Sequence, residues 1–234
     1  GMSKDKIFVA EVNPLVFIEA DDRFQFGEKG QLTPEAVLRY LSSESQKLDM
    51  ENIKQRYFVI AKQATRLFMI PAEYKILMKI VYPLRHGIGS YIIGNYLETI
   101  ALCGTVAEMI ALFLFEISEI SVGGKPISSD EEAKSNLHEF EKMRQSRRTE
   151  KLMQFGLIEK EIEDKFVLVS GKRNGYLHSI SKTYENIEAD AREVFNATLE
   201  IFLNATMLGI KDGKTVLNQK ILDYLEKKGF TEKE

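Results

Sequence analysis

The chain has 234 residues, of which 44% are hydrophobic, 29% charged and 10% aromatic, enough to bury a core as one large domain or two small ones. Fifteen Gly and five Pro exclude a collagen-like or Pro/Gly-rich disordered chain, and a single cysteine, Cys103, excludes an internal disulfide and zinc ribbons or fingers. Lys and Arg number 32 against 35 Asp and Glu, so bulk charge marks no nucleic-acid binder and only local clustering could.

The amino terminus carries no basic-then-apolar leader, and Gly1 before Met2 reads as an expression scar. Residues 6–28 are strand and turn chemistry. Ile7-Phe8-Val9, Leu15-Val16-Phe17-Ile18 and Phe24-Gln25-Phe26 are separated by Asn13-Pro14 and Asp21-Asp22, which predicts a short β-rich arm or cap over residues 1–30. From Gln31 the pattern turns helical. Thr33-Pro34-Glu35 opens a helix to about Ser43, a second covers about Met50–Met69, and Pro71 opens a third that Pro83 breaks near Tyr82. These make up an amino-terminal helical segment, 31–83.

The longest helix is expected over about Gly89–Glu119. Glu98 and Glu108 interrupt its apolar run, so no charge-free stretch approaches the roughly 20 residues that span a bilayer, and it reads as a buried helix with no membrane association. Val122-Gly123-Gly124-Lys125-Pro126 is the clearest loop. Charged residues from Ser128 to Gln145 then form a helix, followed by others at about 149–155, 159–182, 186–208 and 214–228. The expected fold is mostly α: a helical bundle over 84–210 with a carboxy-terminal helix in 211–234.

Two helices have a legible inner face. In the long one Leu97, Ala101, Gly104, Glu108, Ala111 and Phe115 recur at helical spacing, with small residues that let a neighbour approach. In the later one the stripe is Ile162, Phe166, Val169, Leu177 and Ile180, and Arg173 falls at its centre. An arginine there is either paired or facing a site, because a lone buried charge is prohibitive. Glu108, equally anomalous on its own stripe, is the natural partner.

Lys172-Arg173-Asn174-Gly175-Tyr176-Leu177-His178 concentrates useful chemistry. Arg173 is a permanent planar cation suited to phosphate, His178 can exchange a proton near neutrality, and Asn174, four residues before it, can orient the imidazole. These are the parts for cleaving RNA without a metal: a base for the 2′-hydroxyl, a cation for the charge on phosphorus, an acid for the leaving 5′-oxygen. On a straight helix Arg173 and His178 stand about 140° apart. They converge if Gly171 or Gly175 interrupts the helix, if the arginine wraps round, or if a two-fold partner supplies the other half.

Arg173-Asn174-x-x-x-His178 resembles the R-x(4–6)-H motif of the HEPN superfamily, the higher eukaryote and prokaryote nucleotide-binding domains. Tyr91-Ile92-Ile93-Gly94-Asn95-Tyr96-Leu97-Glu98-Thr99-Ile100, with Val106-Ala107-Glu108 after it, is similar to that family's early helix. Gly156-Leu157-Ile158 leads through a helix into the motif, and a long helix follows. The resemblance covers about residues 84–210, while Gly175 and the charged insertion at 123–150 depart from a minimal member. It implies a helical core dimerising around the motif. It also implies a choice between a metal-independent ribonuclease, often with an antitoxin-like protein partner, and an inactive or nucleotide-binding module. Arg173, Asn174 and His178 would then be catalytic and Glu108 supporting.

Lys142, Arg144, Arg147, Arg148 and Lys151 stand against Glu150 alone and could track an RNA backbone together with Lys172 and Tyr176; a solvated helix end and a core tyrosine are the plainer alternatives. Arg85-His86-Gly87, after Pro83, is a second Arg/His pair or a turn with a satisfied histidine. His138 is expected to face solvent and Cys103 to be a small core residue. Three scattered histidines make no metal site, and no cofactor is expected. The reading is a cytoplasmic homodimer that binds RNA and holds the parts for cutting it; the alternative is a non-catalytic helical dimer serving protein interaction or nucleotide binding.

Overall fold

The computed structural model of the chain describes residues 49–61, 75–118, 130–207, 209–212, 214–216 and 218–227. The expected β-rich arm, the helix at Thr33–Ser43 and the Gly123–Pro126 loop lie outside them. The chain divides into two compact units, Gly1–Ile53 and Lys54–Glu234. Of the first, the described part is the turn that starts helix α1 (Met50–Ala61), where Asp49 accepts from the Asn52 backbone N–H at 2.9 Å, the bond of an N-cap carboxylate.

The second unit is mostly helical. After α1 come α2 (Lys75–Ile93), α3 (Tyr96–Ile117), α4 (Asp130–Lys142), α5 (Gln145–Gln154), α6 (Lys160–His178) and α7 (Ile187–Thr206). A hairpin of two three-residue strands, β1 (Gly209–Lys211) and β2 (Lys214–Val216), leads to α8 (Gln219–Lys227). The strands pair antiparallel with Ile210 opposite Thr215, so the single helix expected over 214–228 is a hairpin plus a shorter helix.

Helix α3 is the hub, packing against α2, α4, α5, α6, α7 and α8. Among the described residues it is the one helix long and apolar enough to cross a membrane, yet most of that stretch is buried inside the protein. Neighbours on several sides bury Ile100, Cys103, Val106, Ile110, Leu114 and Ile117, so burial is far wider than the single expected stripe. Leu97 and Ala101 of that stripe are only half-buried.

The long helix expected from Gly89 is in fact two, broken at Gly94. Gly94 has φ +87°, its N–H donates to Tyr91 O at 3.0 Å, and Asn95 N–H donates to Ser90 O at 2.7 Å. That is a glycine-centred helix stop, in a backbone region where a side chain is strained. Gly156, at φ +67°, ends α5 the same way, with Leu157 N–H donating to Leu152 O at 2.9 Å. Pro83, by contrast, breaks nothing: α2 runs through it. Proline in a helix interior costs about 3 kcal/mol locally, and burial of Leu77, Ile80, Leu84 and Tyr91 in the core offsets it.

Candidate functional site

The motif lies on α6, whose chain enters through Glu159 in extended conformation (φ −94°, ψ 167°) and stays helical to His178. Neither Gly171 nor Gly175 interrupts it, so Arg173 and His178 remain about 140° apart around the axis. The inner stripe is Ile162, Phe166, Val169 and Tyr176, all buried, with Arg173 between the last two. Leu177 and Ile180, expected on this stripe, are 38% and 106% exposed. A period of alternating three and four residues, read from Val169 through Arg173, reaches Tyr176 and not Leu177.

Arg173 points at α3. Its Nη1 donates to Glu108 Oε1 at 2.6 Å, with both side chains largely but not wholly covered (26% and 31% exposed). Its stem lies over Gly104, where a Cβ would stand 2.2 Å from Arg173 Cδ. The Nε is buried without a hydrogen-bond partner, so the side chain is held mainly by the Glu108 bond and by packing.

Lys172 and Tyr176 belong to a second knot, around Asp190 on the first turn of α7. Lys172 Nζ donates to Asp190 Oδ1 at 2.6 Å and Tyr176 Oη to Oδ2 at 2.6 Å. Lys182 adds a contact at 3.4 Å and lies 4.7 Å from the Tyr176 ring centre. Burial alone would raise the Asp190 pKa, but these donors outweigh it and hold the carboxyl below its usual range. The same bond to Asp190 raises Lys172 against its own burial. Burial first, then the Asp190 bond, raises Tyr176. Sequence pattern alone does not single out Asp190, although the signal is there: a carboxylate on the spacing of Val194, Ala197 and Ile201, all buried.

Asn174 and His178 sit elsewhere on α6, one turn apart on its outward face with Val167 and Gly171. All four are exposed, and a Cβ at Gly171 would meet nothing within 4 Å. Asn174 and His178 have no hydrogen-bond or ion-pair partner among the described residues.

The basic cluster divides by role. Arg148 reaches back over the end of α4, donating from Nε to Phe140 O at 3.2 Å and from Nη2 to Glu141 O. It thereby satisfies carbonyls that a helix end leaves open. Arg147 pairs with Glu150 at 2.6 Å on the surface, and Lys151 lies 6.0 Å from the Phe155 ring centre. Lys142 and Arg144 are exposed with no partner among the described residues.

Arg85 and His86 are not in a turn. They lie within α2, both exposed, with the His86 ring centre 4.4 Å from that of Tyr82. His138 is exposed, 3.8 Å from Glu141. Cys103 is fully buried, and that burial pushes its thiol up to about 12, which suits a core residue and not a nucleophile. Among the described residues no three His, Cys, Asp or Glu cluster as metal ligands. Comparison with known protein families, curated proteins and solved structures finds no match to this chain.

Proposed function

We propose that this chain is a HEPN-like RNA-binding protein that acts as a homodimer and cuts RNA without a metal. One observation carries the reading. Asn174 and His178 stand exposed and unpaired, one turn apart on the outward face of α6, while Glu108 holds the Arg173 guanidinium on the inner face of the same helix. With RNA bound, the Asn174 amide turns to the imidazole of His178 one turn away and orients it, and the exposed Lys142 and Arg144 follow the RNA backbone.

Within one chain the arginine and histidine diverge; a two-fold axis on the outward face of α6, with Gly171 letting the two helices approach, brings the two His178 side chains together, and Arg173 joins them only by swinging its guanidinium off Glu108. One His178 takes the 2′-hydroxyl proton, and the 2′-oxygen attacks phosphorus while Arg173 offsets the growing charge. As the bond from phosphorus to the 5′-oxygen breaks, the other His178 protonates that oxygen. The products carry a 2′,3′-cyclic phosphate and a free 5′-hydroxyl.

A second reading, a non-catalytic dimer or nucleotide-binding module, is favoured by how fully the inner half of the motif is used. Glu108 occupies Arg173, and Asp190 occupies Lys172 and Tyr176. Incubation of purified protein with total RNA in EDTA separates the two. Cyclic-phosphate ends that vanish with His178→Ala support cleavage. RNA retained intact reduces the first reading to binding without cleavage, and no RNA association at all removes it and leaves the second, a helical dimer serving protein interaction or nucleotide binding.

A further inference from the structure

A second place where unpaired charge meets open space lies between α2 and α3. On α2, Tyr82, Arg85, His86, Gly89 and Ile93 recur at three-, four- and seven-residue spacing and so share a face. With Glu98 from the first turn of α3 they line an open cleft of about 500 Å³, within the range of small-ligand sites. Thr99 Oγ1 donates to Gly87 O at 3.0 Å. That bond ties the first turn of α3 to the middle of α2 and sets Glu98 near Arg85 and His86.

The cleft therefore holds both signs of charge close together. Arg85 and Glu98 are exposed, and neither finds a hydrogen-bond or ion-pair partner among the described residues, not even in each other. A ligand of one sign gains from one of them and is repelled by the other, so a phosphate suits this cleft poorly. A ligand with both signs a few bonds apart satisfies both. Beside the charges the surface is open and apolar. Ile93 is 41% exposed, and at Gly89, one turn before it, a Cβ would meet nothing within 4 Å.

We propose that this cleft binds a free α-amino acid with an aliphatic side chain. Arg85 takes the ligand's carboxylate through two parallel N–H donors, and Glu98 accepts from its ammonium group. The ligand's side chain crosses the bare backbone at Gly89 and rests on Ile93. Tyr82, whose ring centre is 4.4 Å from that of His86, holds the imidazole beside the carboxylate end. None of these residues belongs to α6, so the cleft stands or falls apart from the cleavage reading.

Calorimetric titration of the full chain with leucine, leucinamide and N-acetylleucine tests it, the last two each lacking one of the two charges. Leucine is expected to bind, and each analogue to bind about tenfold or more weaker through loss of one charge-assisted contact. Arg85→Ala is expected to weaken leucine as much and to erase its advantage over leucinamide. Glu98→Gln is expected to erase its advantage over N-acetylleucine. Both side chains are exposed, so neither change is expected to move the melting temperature. Gly89→Leu fills the space that the ligand's side chain takes, so it is expected to abolish binding with an unchanged or higher melting temperature. Absence of leucine binding overturns the proposal, as does equal binding of either analogue, or binding that Arg85→Ala and Gly89→Leu both leave intact.

Discussion

Gly104 on α3 and Arg173 on α6 occupy each other's space: a Cβ on the glycine would stand 2.2 Å from the arginine's Cδ. The absence of a side chain at 104 is what lets the arginine stem cross the hub helix and reach Glu108 one turn further along, at 2.6 Å. A glycine in mid-helix, which weakens α3 locally, is the opening through which a charge reaches its partner.

Gly104→Ala is therefore expected to destabilise. Alanine gains about 1 kcal/mol in helix propensity, but overpacking costs about 1–3 kcal/mol, and the overlap here involves a stem already bonded at its tip. Urea unfolding is expected to show a lower midpoint than the parent. A higher midpoint would mean that Arg173 moves aside freely.

Glu108→Gln and Arg173→Ala are each expected to cost about 1–2 kcal/mol, between the cost for an exposed ion pair and that for a buried one, because solvent still reaches both groups. A double-mutant cycle measures their coupling. The two are expected to be strongly non-additive, since they remove one bond. Additive losses would show that packing over Gly104, and not the pair, holds the arginine.

Asp190 ties pH to stability. Its carboxyl titrates lower when folded than when unfolded, so between those two values the unfolded chain binds more protons and stability rises with pH. The contribution is fully present above the unfolded value of about 3.9 and is lost as pH falls through the folded one. Urea midpoints from pH 7 down to about 2.5 are expected to fall less steeply at the acid end in Asp190→Asn, which is also less stable at neutral pH. Parallel curves would mean that Asp190 is not perturbed in solution.

Within the basic cluster, Lys142→Glu with Arg144→Glu is expected to weaken RNA binding and to flatten its salt dependence by about 0.7 per lost phosphate contact, with no change in melting temperature. Arg148→Ala is expected to do the reverse, losing about 1 kcal/mol of stability through the freed carbonyls of α4 while leaving the salt slope alone. A shared slope change for both variants would place Arg148 on the nucleic acid as well.

Much of this architecture is determined by sequence alone. Apolar spacing and capping residues are local properties, so the predominance of helix, the burial of Cys103 and the α6 stripe through Ile162, Phe166 and Val169 are legible without coordinates, as is the anomaly of Glu108 and Arg173 on apolar faces. Tertiary packing decided the rest. Core burial carried α2 through Pro83, and a left-handed glycine at 94 divided what reads as one helix. Which residues of the motif are occupied depended on α3 and α7 arriving from other parts of the chain, with Glu108 65 positions and Asp190 18 positions from their partners. Periodicity records which face of a helix is covered. Only the neighbour that covers it determines whether a charge there finds a partner or is left to solvent.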